Sequence, residues 1–444
     1  MTTPRETAMH ALCHFETYGA FVKDDLDDRL RQSRFDQRDR AFATELTYGT
    51  LRWRGRIDWV LEQCVRTGIA SLTPPIRNIL RLGVYQTLLM EGMRASAAVH
   101  ESVEMAKKYG HPGTVRLTNA VLRTVVRRKD DFTKPPRMSD SLADLSVWYS
   151  YPCWLVKRWV ERYGYENAAA LCEAGNRTPP VVIRVNRLKT TPSMLADRLA
   201  TQGVHAEPGR YLEDFLVLHE PGDVRRLAGY AEGWFQVQDE SAGLAVRLLE
   251  PRPGETVVDL CCAPGGKIIY IAELMSDRGR IVGADVSPGR LRRLQEHVRR
   301  MGFQRIATVA TDGCNLGLRL QADRVLVDAP CSGLGTVARR AELRWRRRPE
   351  DLEANGKIQT GLLEQAGRLV RPGGVLVYST CTIEPEENEY IVEEFCRRHP
   401  EFRAERPETW PSACSDMLGP DYRVRTLPSV HRIDGSFAVR MKRE

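Results

Sequence analysis

The chain has 444 residues, 42% hydrophobic and 28% charged, with a net charge of +8, which excludes a disordered or fibrous protein and favours two or three globular domains. It contains no run of eighteen apolar residues and opens with MTTPRETAMHALCHF, which lacks a secretory signal, so we expect neither a membrane span nor export. The eleven cysteines form no C-x-x-C pair and no cluster at zinc spacing, which predicts reduced thiols in the cytoplasm and no metal site.

Residues 1–135 are predicted to form an all-helical domain with a basic surface. Apolar residues recur three or four positions apart in TAMHALCHFE, PPIRNILRLGVYQTLLM and TVRLTNAVLRTVVRRK, and the last helix leaves Arg127 and Arg128 for solvent or phosphate. Residues 1–137 hold 23 Lys and Arg against 16 Asp and Glu, whereas the remainder holds 43 against 42. A basic domain joined to a neutral one indicates an anchor for a polyanion, although an ordinary solvated basic surface is the alternative.

Residues 136–235 are predicted to form a small α+β module after the linker DDFTKPPRMSD. Helical patterns such as PCWLVKRWVERYG are followed by short β runs such as PVVIRVN and FLVLHE. The sequence does not indicate what this module does.

Residues 236–444 are predicted to form a doubly wound, mostly parallel sheet. Short valine-rich runs alternate with helical segments, and such sheets bind ligands at the C-terminal ends of their strands. Every notable acidic or thiol residue of this region falls at one of those ends, namely Asp259, Asp285, Asp312, Asp328 and Cys381.

The loop in VVDLCCAPGGKIIYIAE has the features of a cofactor site. Its two glycines let the backbone approach a ligand at a helix N-terminus, yet it is neither a dinucleotide fingerprint nor a Walker loop. Asp285 can accept both hydroxyls of a ribose, and Asp312 lies within reach of an adenine. An adenosine without a pyrophosphate, as in S-adenosylmethionine, fits these parts, although any one strand-end aspartate can instead cap the next helix.

Three motifs, DLCCAPGGK, DAPCSGLGT and VYSTCTIEPEEN, resemble in order and spacing the signature of the RNA cytosine C5-methyltransferases. The N-terminal part resembles the NusB-type helical domain, notably in DRAFATELTYGTLRW and AVHESVEMAKK. This pairing of domains is typical of the RsmB, Sun or Fmu type, which acts on 16S ribosomal RNA. The resemblance implies an all-α NusB-like domain, a small α+β linker module and a Rossmann-like class I methyltransferase domain.

The resemblance also assigns roles to the two thiols, which spacing alone leaves open because both lie at strand ends. It implies Cys381 as the nucleophile that adds to cytosine C6, Cys331 as the thiol that assists product release, and Asp328 as the partner of N3. Covalent addition makes C5 nucleophilic and so divides one hard step into easier ones. The implied contacts to S-adenosylmethionine come from the loop residues Cys261, Cys262, Ala263, Pro264, Gly265, Gly266 and Lys267, and from Asp285, Asp312 and Asp328.

An arginine-rich stretch, TVARRAELRWRRRPEDL, follows the first thiol. Guanidinium groups suit phosphates and stack on bases, so we expect an RNA-facing surface here, with a plain solvated face as the alternative. The candidates are Arg339, Arg340, Arg344, Arg346, Arg347 and Arg348, together with Arg127 and Arg128 of the first domain.

The sequence therefore predicts a cytoplasmic 16S ribosomal RNA cytosine-C5 methyltransferase, of the cytosine-967 type, that uses S-adenosylmethionine and neither a metal nor a membrane. The same chemistry on transfer RNA or another ribosomal position is one alternative. A catalytically inactive NusB-like RNA-binding protein is another, which the intact thiols disfavour. A nucleotide-dependent oxidoreductase is disfavoured by the missing dinucleotide fingerprint.

Overall fold

The computed structural model describes residues 2–135, 141–317 and 320–444, and the chain divides into two compact units. The helical unit comprises Met1–Arg177 and Val337–Arg346, and the sheet unit comprises Thr178–Thr336 and Arg347–Glu444. Among the described residues, no helix is both long and apolar enough to cross a membrane.

The helical unit confirms the all-α prediction for the N-terminal region. Amphipathic helices bury one face each, as α7 does with Val121, Leu122 and Val125. Pro74 begins α5, at a position where a missing N–H costs no hydrogen bond. The helices are α1 (Pro4–Tyr18), α2 (Val22–Gln32), α3 (Gln37–Arg52), α4 (Arg54–Glu62), α5 (Pro74–Leu88), α6 (Ala95–Tyr109), α7 (Pro112–Arg127), α8 (Lys129–Phe132), α9 (Ser141–Tyr149), α10 (Cys153–Tyr163) and α11 (Tyr165–Asn176).

The division between the units differs from the borders predicted after residues 135 and 235. The first predicted border falls at residues 136–140, outside the described residues, and α9–α11 belong to the helical unit. Their packing explains why: Tyr151 is buried with its ring 5.4 Å from that of Trp159, and the Gly55 N–H donates to Ser150 Oγ at 2.8 Å. The rest of the predicted module, from residue 178 onward, folds within the sheet unit.

A small antiparallel sheet opens the sheet unit. Its strand order is β2-β3-β1-β4, and a compact apolar core lies under it. The elements are β1 (Val181–Val185), α12 (Pro192–Ala200), β2 (His205–Pro208), β3 (Phe215–His219) and β4 (Phe235–Val237).

The second, larger sheet confirms the doubly wound prediction. Its order is β10-β12-β9-β8-β5-β6-β7, with β11 also paired to β12, and β5 to β9 run parallel. Its elements are α13 (Glu240–Leu249), β5 (Thr256–Asp259), α14 (Gly266–Leu274), β6 (Arg280–Asp285), α15 (Pro288–Met301), β7 (Ile306–Ala310), β8 (Ala322–Asp328), α16 (Leu343–Arg346, in the helical unit), α17 (Pro349–Leu369), β9 (Val370–Thr380), α18 (Glu389–Arg398), β10 (Phe402–Ala404), β11 (Arg423–Thr426), α19 (Pro428–His431) and β12 (Ser436–Arg443).

The strand order reverses between β5 and β8, since the chain passes from β5 outward to β7 and then returns to β8. Such a reversal opens a crevice at the C-terminal ends of the parallel strands. Asp259 ends β5, Asp285 ends β6, Asp328 ends β8, and Cys381 follows β9. The topology therefore brings the predicted site residues to one edge of the sheet.

Candidate active site

Two thiols meet at this edge. Cys331 lies in the loop after β8, and Cys381 directly follows β9, the parallel neighbour in which Ser379 is aligned with Asp328. The Sγ atoms of the two cysteines are 3.4 Å apart, and both residues are partly exposed. Two strand ends in register thus hold two sulfur atoms in contact where a ligand can reach them.

The two thiols are coupled through their contact. The hydrogen bond with Cys381 raises the pKa of Cys331 well above its ordinary value, and burial and the nearby charge of Glu387 add to the effect. In this contact either sulfur can donate its S–H to the other. The contact therefore lets one thiol stay protonated while the other ionises, and the resemblance assigns the thiolate to Cys381.

Asp328 is held beside the thiols by an ion pair. Its Oδ2 accepts from Lys267 Nζ at 2.7 Å, and its Oδ1 accepts from Ser379 Oγ at 3.1 Å. Burial alone would lower the pKa of Lys267, but the charge and hydrogen bond of Asp328 outweigh burial and raise that pKa. The site therefore contains a fixed carboxyl–ammonium pair, although we predicted Lys267 only as a contact to the cofactor.

Asp259, at the end of β5, is a buried carboxyl group with a free acceptor atom. Its Oδ1 accepts from the Cys261 N–H at 3.3 Å, while its Oδ2 has no hydrogen-bond partner among the described residues. Burial, together with the charge of Asp328, raises the pKa of Asp259 to about 8. Buried polar atoms are rarely left unpaired, so this oxygen is free to form a hydrogen bond with a ligand.

The Gly-Gly loop, residues 261–267, has the backbone form that the sequence predicts for a cofactor loop. Gly265 has a φ of +115°, and a Cβ there would lie 2.5 Å from Leu294 Cδ1, so only glycine fits. Helix α14 begins at Gly266 and leaves its first N–H groups available. Burial raises the pKa of both Cys261 and Cys262, which keeps these two thiols protonated.

The small sheet holds this loop in place through a buried arginine. Arg184, on β1, is fully buried; its Nη1 donates to the Gly266 carbonyl at 3.0 Å, and its Nε donates to Glu273 Oε2 at 3.3 Å. Its guanidinium carbon lies 4.4 Å from the ring centre of Tyr270. The contact gives the small module a role that the sequence did not reveal, which is to support the Gly-Gly loop.

The two aspartates predicted to bind adenosine are engaged in local contacts. Asp285 Oδ1 accepts from the Ser287 N–H at 2.8 Å and from Arg290 Nη2 at 2.9 Å. Asp312 is exposed, and its oxygens accept from the Cys314 N–H and from Asn315 Nδ2, both at 2.9 Å. Asp285 therefore lies buried at the strand end and bonds to the N-cap residue of α15, whereas Asp312 is exposed and bonds within the turn that follows it.

The arginines of the predicted RNA surface differ widely in exposure. Arg340, Arg348 and Arg127 are exposed. Arg339, Arg346, Arg347 and Arg128 are half-buried; Arg346 lies over the Phe21 ring at 4.0 Å, and Arg128 pairs with Asp131.

Arg344 does not fit the prediction of an RNA-facing side chain. It is fully buried in the helical unit, where it donates to the Gly175 carbonyl at 2.9 Å and to Asn176 Oδ1 at 2.7 Å and lies 3.8 Å from the ring centre of Tyr151. A guanidinium with five donors can satisfy several carbonyls that converge on one point. We therefore leave Arg344 out of the RNA-facing set.

Arg347 supports the thiol loop, residues 330–332. Its Nε donates to the Ser332 carbonyl at 2.8 Å, and its Nη2 donates to the Cys331 carbonyl at 3.2 Å.

Sequence reasoning also missed Ser332 and Glu387, which bond to each other beside the thiols. Glu387 lies within the motif IEPEEN, but its neighbouring acidic residues give no local signal that this one is buried.

One trio of potential metal ligands occurs among the described residues. His205, Glu207 and His219 come together on the β2–β3 pair, and all three are exposed. None of them belongs to the candidate active site, and the expectation that the protein uses no metal stays a prediction.

Comparisons with known proteins agree with this architecture. The family model described as 16S rRNA methyltransferase RsmB/F matches residues 246–442, the NusB family model matches residues 2–127, and the model of the ferredoxin-like domain of RsmF/B-like methyltransferases matches residues 151–225.

Relatives and a solved structure cover essentially the whole chain. The protein named probable ribosomal RNA small subunit methyltransferase B of Bacillus subtilis is 33% identical over 100% of this chain and 99% of its own. The protein with the same name from Synechocystis is 34% identical over 100% of both chains. The crystal structure of a protein called PH0851 superposes with a TM-score of 0.84 at 28% identity, covering 99% of this chain and 98% of that one. The chain therefore belongs to the RsmB type of the RsmB/F family of 16S rRNA methyltransferases.

Proposed function

We propose that this protein transfers a methyl group from S-adenosylmethionine to C5 of a cytosine in 16S ribosomal RNA, through a covalent bond between Cys381 and C6 of the base. The observation that carries the proposal is the contact between Cys331 Sγ and Cys381 Sγ, 3.4 Å apart, beside the Asp328–Lys267 ion pair. A site that needs only to bind RNA has no use for two touching thiols. The names of the relatives, which refer to the small-subunit ribosomal RNA, support the choice of substrate.

The residues present fit an adenosine-type methyl donor. The Gly-Gly loop offers backbone donors at the start of α14, and the unpaired Oδ2 of Asp259 offers a buried hydrogen-bonding atom for a polar group of the ligand. Asp285, at the end of β6, can accept hydrogen bonds from the ribose hydroxyls. Asp312 lies further along the same edge of the sheet. S-adenosylmethionine, when bound there, supplies an electrophilic methyl group.

Cys381 starts the reaction as a nucleophile. An ordinary cysteine with a pKa near 8.5 is only about 3% thiolate at pH 7, so the site must favour ionisation. The ammonium of Lys267 interacts electrostatically with Cys381, and the S–H of Cys331 can donate to its sulfur. As the Cys381 sulfur bonds to C6, the C5–C6 π electrons become available at C5, which can then bond to the methyl carbon of a bound donor as the methyl–sulfonium bond breaks and its electron pair stays on the sulfur of S-adenosylhomocysteine.

Asp328 and Lys267 act on the other edge of the base. Addition to C6 builds negative charge on N3, and the carboxyl–ammonium pair can hydrogen-bond that atom and supply it with a proton. Groups fixed before the reaction stabilise such charge without having to reorganise. The Ser379 hydroxyl, bonded to Asp328 at 3.1 Å, helps to keep the carboxyl group in its place.

Cys331 assists the last step. Loss of the C5 proton returns its electron pair to the C5–C6 bond and expels the Cys381 sulfur from C6 as a thiolate. The protonated Cys331, held in contact with that sulfur, can give it a proton as it leaves. N3 gives its proton back as the ring regains its double bonds. The net change is one C–H bond of cytosine replaced by a C–CH3 bond, with the methyl donor left as S-adenosylhomocysteine and one proton released to solvent.

The base must leave its stack to reach these groups, because C6 is inaccessible in a duplex. The excess of Lys and Arg in residues 1–137 supports an electrostatic anchor for RNA on the NusB-like domain. We propose a target of the cytosine-967 type, as the resemblance implies.

Labelled-methyl transfer tests the proposal. Full-length protein is incubated with radiolabelled S-adenosylmethionine and 16S ribosomal RNA from a strain that lacks it, both as naked RNA and as the assembled subunit, and 5-methylcytosine is mapped. We expect one labelled cytosine, and none with the Cys381→Ala variant. Failure to label either form of the RNA would reject the proposed function.

A further inference from the structure

A buried carboxylate lies beside the two thiols. Among the described residues, neither sulfur is one of its hydrogen-bond partners. Glu387 has no exposed surface and sits in the turn after β9, between Cys381 and helix α18. Buried carboxylates are costly unless several donors satisfy them. The donors that satisfy this one come from the thiol loop and from α17.

The thiol loop supplies two of these donors. The backbone N–H of Ser332, the residue after Cys331, donates to Glu387 Oε1 at 2.7 Å. The Ser332 hydroxyl donates to Glu387 Oε2 at 2.5 Å. One residue of the thiol loop is therefore held by both oxygens of a single carboxylate.

Helix α17 adds two amide groups. Asn355 Nδ2 donates to Glu387 Oε1 at 2.8 Å. Gln359 Nε2 lies 3.4 Å from the same oxygen and donates to the Pro330 carbonyl at 2.9 Å. Gln359 thus joins the carboxylate to the residue on the other side of Cys331.

The turn that carries Glu387 is itself tied to the end of β9. The Tyr378 hydroxyl donates to the Glu387 carbonyl at 2.6 Å. Ser332 Oγ lies 2.9 Å from Thr382 Oγ1, and Asn388 Nδ2 donates to the Thr382 carbonyl at 3.1 Å. The residues that flank Cys331 and Cys381 therefore converge on one rigid, buried network.

We propose that Glu387 is a positioning residue for methyl transfer, whose carboxylate fixes the thiol loop against the end of β9 and so holds Cys331 Sγ and Cys381 Sγ in contact. This role rests on the proposed function. The charge of Glu387 also helps to raise the pKa of Cys331, which keeps that thiol in its donor form. Glu387 acts through the two cysteines and does not itself bond to the base.

The conservative variant Glu387→Gln tests this role. An amide has one acceptor oxygen in place of two, so its NH2 group must face at least one of the four donors, which must then turn away or, in the case of the Ser332 hydroxyl, turn round to accept. Because a small misplacement of reacting groups is costly, we expect kcat for methyl transfer to fall on the order of 100-fold. The affinity for S-adenosylmethionine and the KM for RNA should change less than about threefold, since the network does not include the Gly-Gly loop.

The matched control is Glu353→Gln, on α17. Glu353 is 78% exposed and pairs only with Lys357 at 2.9 Å among the ion pairs described, so the same chemical change there should leave kcat unaltered.

A second readout follows the thiols without RNA. Full-length protein is alkylated with iodoacetamide over a range of pH, and the labelled cysteines are identified by mass spectrometry. In the wild type, Cys381 should react well before Cys331. Glu387→Gln should allow Cys331 to react at lower pH and so reduce that preference, whereas Glu353→Gln should keep it. A purely structural carboxylate would not change the order in which the two thiols react.

The outcomes separate the two proposals. A wild-type protein that transfers no methyl group would reject the proposed function, while the alkylation order would still test whether Glu387 controls the thiols. A Glu387→Gln variant with wild-type kcat and wild-type thiol preference would overturn the positioning role. So would a loss of S-adenosylmethionine binding in that variant, because it would show a general collapse of the site.

Should Glu387→Gln fail to fold, Ser332→Ala takes its place. This variant keeps the backbone N–H on Glu387 but removes the hydroxyl from both Glu387 and Thr382. We expect a loss of roughly 10-fold in kcat, as for one hydrogen bond to a charged group. Unaltered kcat together with an unaltered alkylation order in folded Ser332→Ala would overturn the proposal.

Discussion

Cys331 and Cys381 are 50 residues apart in the chain, yet their sulfur atoms lie 3.4 Å from each other. The contact arises because β8 and β9 are parallel neighbours, with Asp328 at the end of β8 paired to Ser379 near the end of β9. Two thiolates at this distance would repel each other strongly, so only one of the pair ionises at a time. The proposed mechanism uses this difference by giving attack to one cysteine and release to the other.

Cys381→Ala removes the proposed nucleophile. We expect methyl transfer to be abolished, because no thiolate is left in position to add to C6. The affinity for S-adenosylmethionine should stay within about twofold, since the Gly-Gly loop is untouched. Measured turnover above background in this variant would reject the role of Cys381, and a titration of cofactor binding provides the control for folding.

Cys331→Ala should stop the reaction after addition rather than before it. Without the thiol that protonates the departing sulfur, the bond between Cys381 and the methylated base persists. We expect a covalent protein–RNA adduct, visible as a band of low mobility on a denaturing gel. The double variant that also lacks Cys381 should give no such band. If Cys331→Ala gave no adduct while labelling of RNA continued normally, the release role would be wrong.

Arg184→Lys should loosen the Gly-Gly loop from a distance. Lysine keeps the charge but cannot bond the Gly266 carbonyl and Glu273 at the same time, as the arginine fork does. We expect S-adenosylmethionine to bind about 10-fold more weakly, the effect of one or two lost hydrogen bonds, and the thermal midpoint to fall. Calorimetry measures the first effect. Arg225→Lys, an exposed arginine of the same module with its side chain 60% accessible, should change neither quantity.

Asp259 makes the free energy of unfolding fall as the pH rises, whereas a salt-bridged acid makes it rise. Its pKa rises from 3.8 in a model compound to about 8 in the folded protein, so the folded state holds the proton more tightly than the unfolded state. The stabilisation it contributes is complete below pH 4 and is lost as the pH rises to about 8, by at most about 1.4 kcal/mol per pH unit.

The Asp259→Asn variant isolates this effect, because other titrating groups cancel in the comparison. Thermal midpoints of both proteins at pH 5, 7 and 9 should show the wild type losing stability relative to the variant as the pH rises. A difference that stays constant with pH would mean that Asp259 is ionised throughout the range.

Arg340 and Arg344 should behave differently despite their closeness in the sequence. Arg340→Ala removes an exposed charge; if it contacts a phosphate, the slope of log affinity against log salt should decrease by roughly 0.7 to 0.9. Arg344→Ala leaves several buried carbonyl groups without donors and should destabilise the protein by about 3 kcal/mol or more, with little effect on that slope. The first effect is measured by filter binding of RNA at several salt concentrations, and the second by thermal unfolding. A destabilised Arg340→Ala together with a reduced salt slope in Arg344→Ala would contradict both assignments.

The sequence could predict the strand ends because alternating apolar segments and turn residues are local signals. Valine-rich runs that stop at Asp259, Asp285 and Asp328 required no knowledge of distant residues. The resemblance then assigned roles to the residues at those ends, and parallel pairing was enough to expect them at one edge of the sheet.

Other parts of the site depend on contacts that no local pattern encodes. Arg344 looks like its neighbours in an arginine-rich stretch, and only the convergence of carbonyls from α3, α11 and the residue after α9 explains its burial. Glu387 and Arg184 are similarly ordinary in sequence and become important through hydrogen bonds of their side chains to partners at least 28 and 54 residues away, respectively. The border between the units differs from the predicted one for the same reason. A helix belongs to the unit whose core its apolar face fills, and this depends on distant residues.

Residues Val337–Arg346 fold with the helical unit, although the chain on both sides of them belongs to the sheet unit. The polypeptide therefore crosses between the units three times. After a single protease cut following Arg177, the C-terminal piece would still contribute Val337–Arg346 to the helical unit. A recombinant fragment that begins at Thr178 would carry Ala341 and Trp345 without the apolar neighbours that normally cover them. We therefore expect a fragment of residues 178–444 to aggregate unless polar residues replace Ala341 and Trp345.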